Sequence, residues 1–196
     1  MHRLTIFLFT ALLFFSGNGY AQDKQEPEAG DIIRQLKESF ILVRLQTSER
    51  KINMLKERGM EKEAEEAVNQ QHQENKEIML SFEETFDFCP VYFFYAANSE
   101  AIREGQLEGN VFNSRQELIE GSKLNTRPFF TAEFTETEKL GISGFILMDQ
   151  FMVPLEPPFP YFERKYIFFS LIEQSKARIS ERYNARLKAF YEKHLN

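Results

Sequence analysis

The chain has 196 residues, with 24 Lys+Arg against 30 Asp+Glu, three His and a single Cys, for a formal net charge of −6. That acidity lacks the cationic footprint that phosphate contacts need, so nucleic acid and anionic membrane surfaces are excluded as expected partners. One cysteine also excludes an internal disulfide framework, so the fold must rely on its apolar core.

Arg3 is followed by an apolar run from Leu4 to Phe15 and then by Ser16-Gly17-Asn18-Gly19-Tyr20-Ala21. A positive start, a short greasy middle and a small-residue end predict a signal peptide over 1–21, cleaved after Ala21. The run is too short for a span, which takes about 20 apolar residues, so no membrane span is expected after cleavage. The expected product is secreted, to the periplasm or outside the cell. Its 175 residues hold 23 Lys+Arg and 30 Asp+Glu, enough chain for one domain with an appendage.

Residues 22–30 carry Pro27 and Gly30 in a polar setting and read as a disordered leader. From Asp31, an expected N-cap, to about Arg58, Ile33, Leu36, Phe40, Val43, Ile52 and Leu55 recur at helical spacing. Gly59 fits the left-handed position after a last helical residue, with Leu55 and Met60 placed for the apolar contact across it. A second helix follows to Phe86, with Ala64, Ala67, Val68, Ile78, Met79 and Phe82 on its apolar side. Residues 31–87 are thus expected to form a helical hairpin. Gln70 to Asn75 interrupt its stripe, which leaves two readings: a protein-binding arm, or a solvated helix pair with surface charge pairs.

At Phe88-Cys89-Pro90 the character changes, and 88–196 reads as an α/β domain. Val91 to Tyr95 is the β-branched and aromatic run of a buried strand. Expected next are a helix over 99–106 capped by Asn98 or Ser99, a strand over 110–113, and a short helix from a Ser114–Glu117 capping box to Ile119. Strands over 129–137 and 142–148 follow, the second turning at Asp149-Gln150 into 151–155. Pro157 to Tyr161 forms a non-helical crossing. A last helix runs from a Ser170–Glu173 capping box to His194, with Leu171, Ile172, Ile179, Leu187, Phe190 and Tyr191 facing inward. The fold class is therefore mixed α/β: a helical hairpin, then a four- to five-stranded mixed sheet with flanking helices and a C-terminal helix.

Chemistry is thinly signposted. His72 and His194 have no second ligand at metal spacing, no Gly-rich phosphate loop is present, and no catalytic, cofactor-binding or metal residues are assigned. No cofactor is expected. Cys89 reads as a small buried residue, with an intermolecular disulfide or reactive thiol as alternatives. Glu83, Glu84 and Asp87 cluster at a helix end, and Glu133, Glu136 and Glu138 flank a strand; paired across a cleft they would suit a glycosidase, and otherwise they are surface charge. Tyr92, Phe94, Phe129, Phe134, Phe159, Tyr161 and Phe162 either line a ligand cleft or fill the core.

Two resemblances enter here. Phe88 to Tyr95, Pro158-Phe159-Pro160-Tyr161 and the Tyr20-Ala21-Gln22 context resemble a group of uncharacterised secreted proteins of Bacteroidota, which implies export and a shared fold but no mechanism. A strand ending at Tyr95-Ala96, a helix, and Leu140 to Leu147 leading into a hairpin are similar in order to a thioredoxin-like fold. There the departure is at Ala97-Asn98-Ser99-Glu100, where no Cys-x-x-Cys stands, so the redox chemistry would be lost. The expected function is an exported, non-enzymatic interaction or structural accessory protein. The alternatives are an envelope enzyme, hydrolytic or redox-derived, and a small-ligand carrier with a Phe-lined cavity. Oligomeric state is left open.

Overall fold

The computed structural model describes residues 28–124, 128–137, 141–168, 172–173 and 175–195. The expected signal peptide, most of the expected leader, Glu138, Leu140, Ser170 and Leu171 lie outside them.

The helix expected over 31–58 is instead helix, strand, helix. Helix α1 spans Ala29–Glu38, so Ala29 and Gly30, expected in the leader, are helical, and the N-cap is Glu28. Asp31 lies in the first turn, where a carboxylate suits the helix dipole, and Arg34 pairs with it at 2.6 Å. Strand β1 spans Phe40–Leu45 and is buried at every position except half-buried Arg44. Phe40-Ile41-Leu42-Val43 is a continuous apolar run with two β-branched members, which favours a strand covered on both faces. Spacing alone misleads here, because Ile33, Leu36, Phe40 and Val43 also satisfy a helical repeat.

Helix α2, Glu49–Glu57, buries none of its residues. It ends in the cap expected at Gly59: φ there is +70°, Met60 N–H donates to Leu55 O at 3.0 Å, and Gly59 N–H donates to Lys56 O at 2.9 Å. These are the paired bonds of a Schellman motif. The chain turns into α3, Glu61–Thr85, against which α2 packs. The helical hairpin expected over 31–87 is thus broken by β1, which is hydrogen-bonded to a strand beyond residue 87.

That strand is β2, Val91–Tyr95. A 3-10 turn, Ala96–Asn98, leads to α4, Ser99–Arg103, shorter than expected and without a side-chain cap. The strand expected over 110–113 reduces to bridges from Phe112 to Phe93 and Leu118. No helix forms over 114–119. Asn113 Oδ1 accepts from both Arg115 N–H and Glu117 N–H and outcompetes the capping box, with Gln116 at φ +62°. A single helical turn, α5, follows at Gly121–Leu124.

Strands β3, Phe129–Glu136, and β4, Ser143–Met148, form where expected. Asp149 makes the turn after β4, its carboxylate accepting from Phe151 and Val153 N–H, each at 2.9 Å. The non-helical segment 157–161, with a cis Pro157–Pro158 peptide, precedes β5, Phe162–Arg164. Strands β6, Ile167–Phe168, and β7, Ile172–Glu173, pair with each other. The last helix therefore does not begin at Ser170. It is α6, Lys176–Lys193, capped by Ser175, whose hydroxyl accepts from Arg178 N–H at 3.3 Å.

The five-stranded sheet has the order β2-β1-β3-β4-β5. Strand β1 is parallel to β2 and β3, and the two antiparallel pairs β3–β4 and β4–β5 complete the mixed sheet. Gly144 on β4 is dictated by close approach, since a Cβ there would lie 2.5 Å from the Glu163 carbonyl. One face of the sheet packs Ile41, Val43, Leu45, Phe93 and Phe145 against α1, α3 and α6. The other packs Phe40, Leu42, Phe94 and Phe129 against Ile102, Leu107, Val111 and Leu124. Among the described residues, no helix is long and apolar enough to cross a membrane.

Candidate functional site

The connection from β1 to β2 runs through α2 and α3 on the first face, and that from β2 to β3 through α4 and α5 on the second. Beyond the carboxyl ends of β1 and β2 the chain therefore departs to opposite faces, whereas β3 pairs directly with the antiparallel β4. Open α/β sheets bind ligands at such a switch point.

The polar groups near the carboxyl ends of β1 and β3 form one continuous network. Alternation along the strands puts Arg44 and Glu133 on the second face, just past Leu42 and Thr131. Arg44 Nη1 donates to Glu133 Oε2 at 3.1 Å, and Gln46 Nε2 reaches the same oxygen at 3.4 Å. The backbone carbonyl of Gln46 accepts from Asn75 Nδ2 at 2.8 Å. Gln71 Nε2 donates to Asn75 Oδ1 at 3.2 Å, and the Ser48 hydroxyl donates to Gln71 Oε1. Ser48 itself is held at φ +51°.

This arrangement changes the reading of the glutamine-rich stretch. Gln71 and Asn75 are 8% and 5% exposed, and they hold the β1–α2 loop against α3. The interruption in the apolar stripe marks a polar latch on the sheet's carboxyl edge. Nearby, Lys176 pairs with Glu74 at 3.3 Å and covers the Phe134 ring at 4.3 Å.

The carboxylates singled out in the sequence are exposed or tied to local partners. Glu83 and Glu84 are exposed. Asp87 takes Lys188 Nζ at 2.6 Å and Asn184 Nδ2 at 2.7 Å. These two hydrogen bonds, Lys188 first, hold its carboxyl below the usual range. Glu133 is tied to Arg44, and Glu136 accepts from the Ser143 hydroxyl at 3.2 Å.

Cys89 lines a half-open cleft of about 200 Å³ with Phe82, Glu83, Phe86, Val91 and Phe93. Burial pushes its thiol up to about 12, against the opposing pull of the Lys37 ammonium. Burial thus favours the neutral thiol at physiological pH. His72 is exposed on α3, and His194 Nδ1 lies 2.8 Å from Phe190 O at the end of α6. Among the described residues, no group of three or more His, Cys, Asp or Glu could hold a metal ion. The 3-10 turn after β2 carries no thiol where a thioredoxin-like site would. Six of the seven aromatics divide between the faces, Tyr92, Phe94 and Phe129 on the second core and Phe134, Phe159 and Tyr161 on the first, while Phe162 is half-buried on β5 outside both.

One buried carboxylate went unnoticed in the sequence. Glu163 on β5 is 5% exposed and is bound by both Arg182 and Arg186 from α6. The only sequence signal was the spacing of the two arginines, one turn apart on a helix. No family model, no curated protein and no solved structure matches this chain.

Proposed function

We propose that this chain is an exported, non-catalytic interaction or accessory protein, and that α2 with its turn into α3 is the contact surface. The observation that carries the reading is the emptiness of α2 as a core element. A nine-residue helix that buries no side chain adds little to folding, because helical stability in proteins comes chiefly from packing an amphipathic face. It instead presents Met54 and Met60 at 42% and 36% exposure around the Gly59 turn. Methionine is an adaptable contact residue. Buried Gln71, Asn75 and Glu163, by contrast, are engaged with partners inside the fold.

A photo-crosslinking residue placed at Met54, in cells of the source organism, tests this. The reading expects a discrete adduct from position 54 and none from an exposed control position, Glu192. Absence of an adduct specific to position 54 contradicts it. Export is checked by the mass of the secreted product, which should begin at Gln22. A second reading, an envelope enzyme or ligand carrier, draws on the Arg44–Glu133 pair near the carboxyl ends of β1 and β3. Under it, Glu133→Gln would abolish a turnover or binding activity while leaving crosslinking from position 54 absent.

A further inference from the structure

Strand β5 is an outer strand of the sheet. Leu147 N–H donates to Tyr161 O and Lys165 N–H to Ser143 O, and Glu163 lies opposite Phe145. Residues 161, 163 and 165 therefore face β4, and the backbone groups of Phe162 and Arg164 point away from the sheet. Such an edge is a template for pairing with another chain unless something blunts it.

Helix α6 supplies that block. Arg186 Nη1 donates to Phe162 O at 2.8 Å and to Glu163 Oε2 at 2.8 Å. Arg182 Nη2 donates to Arg164 O at 2.7 Å and pairs with Glu163. The repeats match: carbonyls two residues apart on a strand are separated by about 6.6 Å, and side chains four residues apart on a helix by about 6 Å along the axis. Two guanidiniums one turn apart can thus address successive outward carbonyls. Glu163, beneath them, fixes both forks. Arg182 also lies over the Tyr166 ring at 4.8 Å. The opposite edge is blunted differently, by backbone bonds of 2.8 and 3.0 Å between Phe93 and Phe112.

We infer that α6 takes the place of a sixth strand, and that Arg182 and Arg186 keep β5 from pairing with the β5 of a second copy. A second copy is the occupant because two identical edges related by a two-fold axis are self-complementary. The test is sedimentation velocity across a concentration series on the mature chain carrying Glu163→Gln, Arg182→Ala and Arg186→Ala, which removes the clamp without stranding a buried charge. The expected result is self-association at a concentration at least tenfold lower than for the native chain. Adding Arg164→Pro, which deletes an outward N–H that an edge strand tolerates losing, should restore native sedimentation. Native-like sedimentation of the triple variant, or association that survives Arg164→Pro, overturns the inference. Should the triple variant fail to fold, Arg182→Lys with Arg186→Lys carries the test, since lysine keeps the charge but loses the planar fork. Association tightened at least threefold then supports the inference, and unchanged sedimentation overturns it.

Discussion

Strand β1 and helix α2 are separated by residues 46–48 alone, yet they stand at opposite extremes. The strand buries five of its six residues and is hydrogen-bonded on both sides; the helix buries none. Both fall in one stretch whose apolar spacing reads as a single helix. The difference lies in run length. Four consecutive apolar residues can be covered only between two packed faces, whereas ERKINMLKE offers one narrow stripe. The molecule thus divides its labour, with stability in the sheet and exposed surface in the arm.

The largest effects should fall on β1. Ile41→Ala is expected to lower unfolding free energy by about 2–5 kcal/mol, the usual range for a large aliphatic truncated in a packed core. Met54→Ala in α2, at an exposed position, should fall within about 0.5 kcal/mol, as a surface change does. Urea denaturation of the pair measures the contrast, and equal losses would break it.

The latch between the two regions comes next. Asn75 holds Gln46 O and also accepts from Gln71. Asn75→Ala should destabilise by about 1–3 kcal/mol through the buried partners left unsatisfied. It should also speed hydrogen exchange of amides in α2 more than in β2. Equal acceleration of both would argue against a local latch.

The smallest effect concerns acid sensitivity at the other end of α3. The Asp87 carboxyl is lowered from 3.8 in the folded chain. Its contribution is therefore present above 3.8 and lost as pH falls through that value toward the folded one. Asp87→Asn should flatten this part of the acid stability profile and leave stability differences above pH 5 nearly constant. A change in slope near neutrality would contradict that assignment.

Legibility followed the range of the forces involved. The Gly59 cap, the β2 run, β3, β4 and the Asp149 turn rest on near neighbours and were readable in the sequence. The boundary of β1 was not, because the same four residues satisfy two periods. The Ser114–Glu117 box lost to Asn113, a competing acceptor one position upstream. Gln71 and Asn75 looked like solvated residues because their partners lie across the β1–α2 loop. The Glu163 clamp joins side chains about twenty positions apart, a distance set only by the packing of α6 on β5.

The most direct test of the division of labour is the Met54→Glu, Met60→Glu variant, assayed for thermal unfolding and for crosslinking from a photoreactive residue at Ile52. The account predicts a melting temperature within about 2 °C of the native chain, the scale of a neutral surface change, together with loss of the partner adduct. A large drop in melting temperature, or an adduct that survives both charges, would contradict it.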